Sequence, residues 1–501
     1  MKNPFLEEII KLLEQNFGSG TFTDKEEISS ILKICSEFYF QKLDIETSKF
    51  DSKNLILRLI IKVDHLQLYE RDQRVIQIEE ALLLLIDLTL ESYNESNSYI
   101  SEVELDFLEN LAVESLIYSS AYASHSGIYK EQSSLTLNLE NPDLYFIHNV
   151  GLDLKGIDEW FRQRNFRNKE LRSQFGDDFD LSQHSQIKFN MDLDKPFLNE
   201  FGIGICEFQL QLVELSQSYP EIENPNQVPS IGFDQIKLAT RKSNLDFLKF
   251  IDLIDGLCIS KDLKLKGKRK AWDYTQNERA RNRPFVKIPN NNDFEYRFSP
   301  SLLAQRVIRL SEDIPLRYKE RLPEEWKTDE IFKTVAHLHN KLGLWFESKC
   351  LDILKSNDLQ GFKPTANSFP IGPPDIIAYS EKSTSISIFE CKLLDQEFEA
   401  RGIRNHISKF TDMPKGYIDK FSKKVQWAVE NLSNIEEMFV KNAIHLDITK
   451  ISKINFCFLT YYPAHIDFFY KDIPVPTVFE FSDKFSKNGG NWPFEKGVIE
   501  L

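Results

Sequence analysis

The sequence predicts a multidomain protein with an α-helical N-terminal region, a mixed α+β middle domain and a C-terminal α/β domain with a central mixed sheet flanked by helices. Its 501 residues, 41% of them hydrophobic, exceed the size of a single hydrophobic core. Apolar residues recur at helical spacing from the start of the chain to about residue 132. Strand-like segments and helices alternate after residue 326. We therefore predict domains at 1–132, 133–325 and 326–501.

The N-terminal segment, residues 1–132, has the pattern of packed helices. Its first apolar stripe consists of Leu6, Ile9, Ile10, Leu12 and Leu13. Pro4 is the only proline in this region, so nothing interrupts the helical pattern. Turn residues and prolines become frequent after residue 133, as in "PEIENPNQVPSIGF" at 220–233. The segment 133–325 is therefore predicted to be a mixed recognition or regulatory domain.

Composition limits the class of protein. The net charge of -15 argues against binding of polyanions over the whole surface, so any contact with nucleic acid must be local. The six cysteines form no CxxC pair, which is typical of reduced thiols in a cytosolic protein and argues against structural zinc. The N-terminus has no leader pattern, and "ALLLLI" is too short to span a bilayer. We expect a soluble, cytoplasmic protein.

The C-terminal segment shows the order helix, three strands, helix, strand. The first helix begins near Thr328 or Asp329 and continues to "SNDLQGF". The later elements are, in order, the strands "FKPTANSF", "PDIIAY" and "SISIFECKLL", the helix "YIDKFSKKVQWAVENL" and the strand "KINFCFLTYY". This order predicts an α/β domain.

The strand "SISIFECKLL" changes character along one face. Side chains alternate between faces of a strand, so Glu390 and Lys392 share a face with Ile386 and Ile388. If this strand pairs with "DIIAY" as a hairpin, Asp375 after the turn "GPP" lies near Glu390. Two carboxylates suit Mg²⁺, and an adjacent ammonium can orient or deprotonate water and contact a phosphate. The set predicts phosphodiester hydrolysis.

These residues resemble the PD-(D/E)xK nuclease superfamily, which includes many restriction enzymes. The resemblance rests on Pro374-Asp375, the triplet Glu390-Cys391-Lys392 at the end of an apolar strand, and Glu347 on the preceding helix, within residues 329–470. It extends to restriction enzymes of the Mrr type. The resemblance implies a restriction-endonuclease-like fold for the C-terminal domain. It also implies Mg²⁺ or Mn²⁺ held by Asp375, Glu390 and Glu347, catalysis by Lys392, and a role in restriction or antiviral defence.

Two basic stretches are candidate contacts to nucleic acid, with DNA favoured over RNA. The first stretch spans residues 261–287, where the basic and aromatic candidates are Lys268, Arg269, Lys270 and Trp272. The second follows the motif strand, and its candidates are Arg401, Arg404, Lys409, Lys415, Lys420, Lys423 and Lys424. The first stretch is equally open to interpretation as a solvated basic surface, whereas phosphate contact is favoured for the second. A protein partner or activating ligand is expected to bind through the N-terminal region.

The sequence alone leaves several interpretations of the motif residues and of the function open. Asp51/Lys53, Glu325/Lys327 and other pairs share the acid-x-Lys spacing, and Glu390 and Lys392 would also suit a solvated edge strand. Nucleases of the RecB type carry a tyrosine four residues after a glutamine, whereas Gln426 is followed by Glu430. We therefore expect Gln426 and Lys424 to lie on a solvated helix face. The functional alternatives are a non-catalytic scaffold or binding protein with a nuclease-like fold, and a nuclease that acts on RNA.

Overall fold

A computed structural model describes the chain in two units, one formed by Met1–Asp153 with Ser185–Leu338 and the other by Leu154–His184 with His339–Leu501. The described residues are 5–66, 73–95, 98–128, 134–137, 147–150, 154–219, 225–261, 282–290, 293–365, 369–394, 400–412, 415–470 and 472–501. This division differs from the three consecutive domains predicted from the sequence. Residues 154–184 were assigned to the middle domain, but they pack with the C-terminal residues.

Helices dominate both units, and short strands form three sheets within the described residues. The helices are α1 (Leu6–Asn16), α2 (Lys25–Thr47), α3 (Ser52–Leu66), α4 (Gln73–Glu91), α5 (Glu102–Ile128), α6 (Leu154–Ser173), α7 (Leu181–Phe201), α8 (Ile205–Gln217), α9 (Phe233–Lys242), α10 (Phe247–Asp255), α11 (Pro300–Leu316), α12 (Tyr318–Arg321), α13 (Asp329–Ser356), α14 (Ala400–Thr411), α15 (Tyr417–Glu430), α16 (Leu432–Lys441), α17 (Ile466–Phe469) and α18 (Val478–Lys487). The strands are β1 (Gly20–Phe22), β2 (Ser134–Leu137), β3 (Ile147–Val150), β4 (Ser230–Gly232), β5 (Cys258–Ser260), β6 (Phe285–Asn290), β7 (Asp293–Phe298), β8 (Gln360–Phe362), β9 (Ile376–Ser380), β10 (Ser385–Lys392), β11 (Lys453–Thr460) and β12 (Val498–Glu500). No helix in these ranges is both long and apolar enough to cross a membrane.

The first unit begins with the helices α1–α5, as the sequence predicts. Asp24 caps α2, since its side chain accepts hydrogen bonds from the backbone N–H groups of Glu26 and Glu27. Tyr39 of α2 stacks on Tyr118 of α5 with ring centroids 5.0 Å apart. The strand β1, which pairs antiparallel with β2, was not predicted from the sequence. A strand of three residues is too short to show a period-2 pattern.

The rest of the first unit contains both helices and strands, with helices α8 to α12 and strands β4 to β7. The helical content is higher than we expected for the predicted mixed domain. Its sheet has the order β4-β7-β6-β5, with β5 and β6 parallel and the other pairs antiparallel. Trp326 is fully buried, and its indole N–H donates to the carbonyl of Leu253 at 3.0 Å. A Cβ at Gly256 would lie 2.1 Å from this indole, so the packing requires glycine at that position.

The second unit contains the sheet that positions the predicted site, in the order β12-β11-β10-β9-β8. β10 and β11 are parallel and the other neighbours are antiparallel, so the sheet is mixed, as predicted. Phe389 of β10 packs against Phe481 of α18, with centroids 5.3 Å apart. On the other face, Phe458 of β11 packs against Phe410 of α14 and Phe421 of α15. Helices therefore cover both faces of the central strands.

Most predicted elements of this unit are confirmed. The strands β9, β10 and β11 and the helices α13 and α15 lie where the sequence predicts them. The predicted strand "FKPTANSF" is replaced by β8, which ends at Phe362, and β12 was not predicted. Thr328 caps α13 as one of the two predicted candidates, because its hydroxyl accepts from the N–H of Ile331 at 3.4 Å.

Residues 154–184 join the second unit through polar contacts. The guanidinium of Arg164 donates to Glu480, to Asp467 and to the carbonyl of Val475. The hydroxyl of Tyr461 accepts from the N–H of Leu181 at 2.9 Å. These contacts connect residues 280 to 316 positions apart in the chain, a separation that local sequence patterns do not encode.

Candidate functional site

The turn before β9 brings Asp375 to the motif strand. Gly372 has a φ of +85°, a backbone conformation that favours glycine, and two prolines follow it. Ile376 pairs with Phe389 in the antiparallel ladder between β9 and β10, so Asp375 lies opposite Glu390. The N–H of Cys391 donates to Oδ2 of Asp375 at 2.7 Å. The predicted hairpin is therefore confirmed.

Lys392 connects the two carboxylates. Its Nζ lies 3.0 Å from Oε1 of Glu390 and 3.4 Å from Oδ2 of Asp375. It also donates to the carbonyl of Cys391 at 3.1 Å and lies 5.3 Å from the ring centroid of Tyr417. The side chains of Lys392 and Glu390 are only 18% and 10% exposed, which argues against the alternative of a solvated pair at an edge strand. Their strand lies between β9 and β11 and is therefore not an edge strand of the sheet.

A fourth charged residue, Lys424, completes the group. Its Nζ lies 3.0 Å from both carboxylate oxygens of Glu390, and its side chain is 12% exposed. The expectation that Lys424 lies on a solvated helix face is wrong. Lys424 follows Phe421 by three residues and precedes Ala428 by four, and both are buried on α15. That spacing places Lys424 beside the apolar stripe and is the signal that could have identified it. We call Asp375, Glu390, Lys392 and Lys424 the carboxylate–lysine cluster.

The cluster contains two carboxylates and two ammonium groups. Burial lowers the pKa of Lys392, but the attraction of Glu390 and then of Asp375 outweighs it, and the net pKa lies above the usual value for lysine. Lys392 is therefore an ammonium at neutral pH. On the opposite face of β10, burial and the hydrogen bond with Cys350 raise the pKa of the Cys391 thiol. Cys391 is a packed thiol with no nucleophilic character at neutral pH.

The two carboxylates differ in the contacts of their oxygens. Within the described residues, Oδ2 of Asp375 accepts two hydrogen bonds and Oδ1 accepts none, whereas both oxygens of Glu390 contact an ammonium. The described ranges hold no group of three or more His, Cys, Asp or Glu side chains placed to bind a metal ion. Mg²⁺ commonly binds through one or two carboxylates and retains several waters. The pair Asp375 and Glu390 fits that smaller donor set.

Glu347 does not join the cluster. It lies on α13, and its Oε2 is 2.7 Å from Nζ of Lys363. Both side chains are partly exposed, at 23% and 32%. Within the described residues, Glu347 belongs to no group of three or more His, Cys, Asp or Glu side chains that could hold a metal ion.

Apart from Lys424, the predicted basic contacts fall into three sets. Lys409, Lys415, Lys420 and Lys423 are exposed on or beside α14 and α15, and Lys423 pairs with Asp419 at 2.8 Å. The helix α14 carries Arg401 and Arg404, whose side chains lie outside the described part of the chain. Lys268, Arg269, Lys270 and Trp272 lie outside the described residues. Gln426 is exposed and donates to Glu430 at 3.0 Å, which confirms its predicted place on a solvated face.

Comparison of the chain with protein-family models, with curated proteins and with solved structures gave no match. The functional interpretation therefore rests on the residues themselves. Its firmest element is the hairpin of β9 and β10, which places one lysine amine against two carboxylates.

Proposed function

We propose that this protein is a metal-dependent nuclease that hydrolyses phosphodiester bonds, with DNA as the favoured substrate. The observation that carries this proposal is the contact of Lys392 Nζ with both Glu390 and Asp375 at one end of the hairpin. Acidic oxygens and an ammonium side by side provide a site for a hard cation and a contact for a phosphate. An endonuclease in restriction or antiviral defence is the role that the resemblance to PD-(D/E)xK nucleases supports.

Asp375 and Glu390 are the residues that would hold Mg²⁺ or Mn²⁺. A bound divalent ion would lower the pKa of water and stabilise negative charge that develops on the phosphate oxygens. Asp375 is oriented for this role by the N–H of Cys391, which donates to Oδ2, while Oδ1 accepts no hydrogen bond from the described residues. Glu390 is held by two lysines, Lys392 and Lys424.

Lys392 acts in this proposal as a hydrogen-bond donor and a positive charge. Its raised pKa keeps it protonated at neutral pH, so it is unsuited to take a proton from water in the geometry observed. In the reaction, the oxygen of water forms a bond to phosphorus and loses a proton to solvent, the P–O ester bond breaks, and the leaving oxygen takes up a proton from solvent. Lys392 would donate a hydrogen bond to a phosphate oxygen, and this bond would strengthen as negative charge develops on that oxygen.

Substrate binding is assigned to the basic surface next to the cluster. The exposed Lys409, Lys415, Lys420 and Lys423 would neutralise backbone phosphates, a contact that depends on shape and charge and carries no base specificity. We assign the first unit to recognition of substrate, a protein partner or an activating ligand, as the sequence predicts. Duplex DNA is the favoured ligand, and RNA is retained as a test substrate.

A scaffold function is the second candidate, and one observation favours it. The two carboxylates and two ammonium groups of the cluster balance each other without any ligand. Buried networks of this kind also occur as purely structural features. The two candidates differ in whether the cluster binds a divalent ion and supports cleavage.

The test is a cleavage assay with the full-length protein. Supercoiled plasmid, linear duplex, single-stranded DNA and RNA are each incubated with Mg²⁺, Mn²⁺ or EDTA. We expect cleavage that requires the metal and falls by about 100-fold or more in Lys392→Met and in Asp375→Asn. The matched control is Lys441→Met, which removes an exposed lysine paired with Glu437 on α16.

Two outcomes would decide against the nuclease. Equal cleavage by wild type and both site variants would assign the activity to another site or to a contaminant. An absence of cleavage with every substrate and metal, together with unchanged folding of the variants, would favour the scaffold.

A further inference from the structure

We propose that Lys424 is a positioning residue that occupies Glu390 in the absence of a divalent metal and leaves it when the metal binds. This inference rests on the proposed function, since it concerns how the metal site is formed. In this proposal the ammonium of Lys424 supplies the positive charge beside Glu390 when no metal is bound. Metal binding then requires that Lys424 be displaced.

Lys424 contacts both oxygens of the Glu390 carboxylate. Nζ of Lys424 is equidistant from the two oxygens of Glu390, at 3.0 Å from each. An ammonium in this position lies where a cation shared by both oxygens would lie. The side chains are 12% and 10% exposed, so this is a largely buried ion pair and differs from a solvated surface pair.

Lys392 and Lys424 differ in how many groups accept hydrogen bonds from them. Lys392 is held by three acceptors, which are Glu390, Asp375 and the carbonyl of Cys391. The ammonium of Lys424 forms hydrogen bonds only with Glu390 among the described residues. Its side chain is attached to α15, on a different element from both carboxylates, and has four rotatable bonds. Lys424 is therefore the member of the cluster that can move without breaking the hairpin.

A divalent ion and the ammonium of Lys424 would compete for the oxygens of Glu390. Mg²⁺ binds carboxylate oxygens at about 2.0–2.1 Å. With Lys424 in place, such an ion at Glu390 would lie within a few ångströms of an ammonium, and the two cations repel strongly in a water-poor site. Departure of Lys424 removes this repulsion and frees both oxygens. The displaced amine then needs another anion, and a backbone phosphate of the substrate provides one.

This arrangement predicts a gain of metal affinity from the loss of a lysine. In the absence of nucleic acid, Lys424→Met should bind Mn²⁺ at least about tenfold more tightly than wild type, because the competing cation is gone. Lys424→Arg keeps the competing charge and should bind Mn²⁺ as weakly as wild type or more weakly. A merely structural lysine would give the opposite result, since its loss would disorder Glu390 and weaken binding.

The experiment measures Mn²⁺ binding through the electron paramagnetic resonance signal of the free ion, with full-length protein and no nucleic acid. Glu390→Gln locates the site, and it should lose binding in the wild-type and Lys424→Met backgrounds. Lys441→Met is the control for loss of an exposed lysine that pairs with a glutamate. Equal or weaker Mn²⁺ binding by folded Lys424→Met would overturn the inference.

A measurement on the wild type covers the case in which Lys424→Met does not fold. Acetylation of lysines by acetic anhydride, read by mass spectrometry, reports how accessible each amine is. Saturating Mn²⁺ should raise the labelling of Lys424 severalfold and leave the labelling of Lys441 unchanged. Unchanged or reduced labelling of Lys424 would contradict its release.

The results separate this inference from the proposed function. Tighter Mn²⁺ binding by Lys424→Met without cleavage of any substrate would support the role of Lys424 and remove the nuclease. Cleavage that requires Lys392, with no effect of Lys424→Met on Mn²⁺ binding, would support the nuclease and remove the role of Lys424. If no protein binds Mn²⁺, the inference fails.

Discussion

Two ion networks in the second unit have similar burial and different construction. The network of Arg164 joins one guanidinium to Glu480 and Asp467, and the carboxylate–lysine cluster joins two amines to two carboxylates. The side chains of Arg164 and Glu480 are 10% and 7% exposed, and those of Lys424 and Glu390 are 12% and 10% exposed. Burial alone therefore does not distinguish them.

The difference lies in how many partners each group has. Glu480 accepts from Arg164 and from the N–H of Thr477, and Asp467 accepts from Arg164 and from the N–H of Val475. These backbone contacts keep the Arg164 network in one arrangement. In the cluster, Oδ1 of Asp375 accepts no hydrogen bond from the described residues and Lys424 has a single partner residue. The first network is suited to stability, and the second is suited to exchange of partners.

Arg164→Met should produce the largest loss of stability. It leaves the buried Glu480 without its counter-charge and leaves the partly exposed Asp467 with Lys496 alone, 3.8 Å away. Loss of one partner of a buried ion pair costs about 3–5 kcal/mol. The measurement is urea denaturation of the full chain, with the transition of the second unit followed by hydrogen exchange of β11. Arg167→Met on the same helix removes a 54% exposed arginine and should change the free energy of unfolding by less than about 1 kcal/mol. Equal effects of the two variants would contradict the comparison.

His465 should make the second unit sensitive to acid. Its ring stacks on Phe161 with centroids 3.7 Å apart, and burial, then the charges of His406 and Arg164, lowers the pKa of His465 to about 3. Its unfolded pKa is about 6.5, so the unfolded state binds the extra proton between these values. This contribution to stability is complete above pH 6.5 and is lost as the pH falls toward 3.

The measurement for His465 is the free energy of unfolding at pH 7 and pH 5. Between these values the wild type should lose about 2 kcal/mol more than His465→Phe, from roughly 1.5 pH units at 1.36 kcal/mol each. His445→Phe is the control, since it replaces another histidine of the second unit. Equal acid sensitivity of wild type and His465→Phe would refute the assignment.

Thr477→Ala should have a smaller effect on the same network. The hydroxyl of Thr477 accepts from the N–H of Glu480 at 3.1 Å and caps α18, and the carboxylate of Glu480 accepts from the N–H of Thr477. Loss of the hydroxyl should cost about 1 kcal/mol, measured by thermal unfolding. Thr477→Ser restores the cap and should recover most of that loss. A loss that serine does not recover would assign the effect to the missing methyl group.

Glu347→Gln is expected to have the smallest effect of the series. The resemblance to PD-(D/E)xK nucleases predicts Glu347 as a metal ligand, whereas the structure pairs it with Lys363 outside the cluster. Loss of this partly exposed pair should change stability by less than about 1 kcal/mol. The Mn²⁺ affinity of Glu347→Gln should equal that of the wild type, whereas Glu390→Gln should lose most of its Mn²⁺ affinity. A comparable loss of Mn²⁺ affinity in Glu347→Gln would restore its predicted role.

Local patterns were sufficient to predict much of the second unit. The alternation of β10 placed Glu390 and Lys392 on one face, and the turn before β9 predicted the position of Asp375. These features depend on residues close in sequence, where the period of two and the turn chemistry act directly. The same reasoning failed for β1 and β12, because strands of three residues carry no periodic pattern.

By itself, the sequence determined the motif strand, its hairpin partner and the three residues Asp375, Glu390 and Lys392. Only the tertiary structure placed Lys424 on Glu390, Lys363 on Glu347, and Arg164 on Glu480. Spacing along the chain does not encode the last contact, which joins residues 316 positions apart. Side chains on separate helices and strands meet only after the sheet and its covering helices have packed, because packing sets the distances between elements.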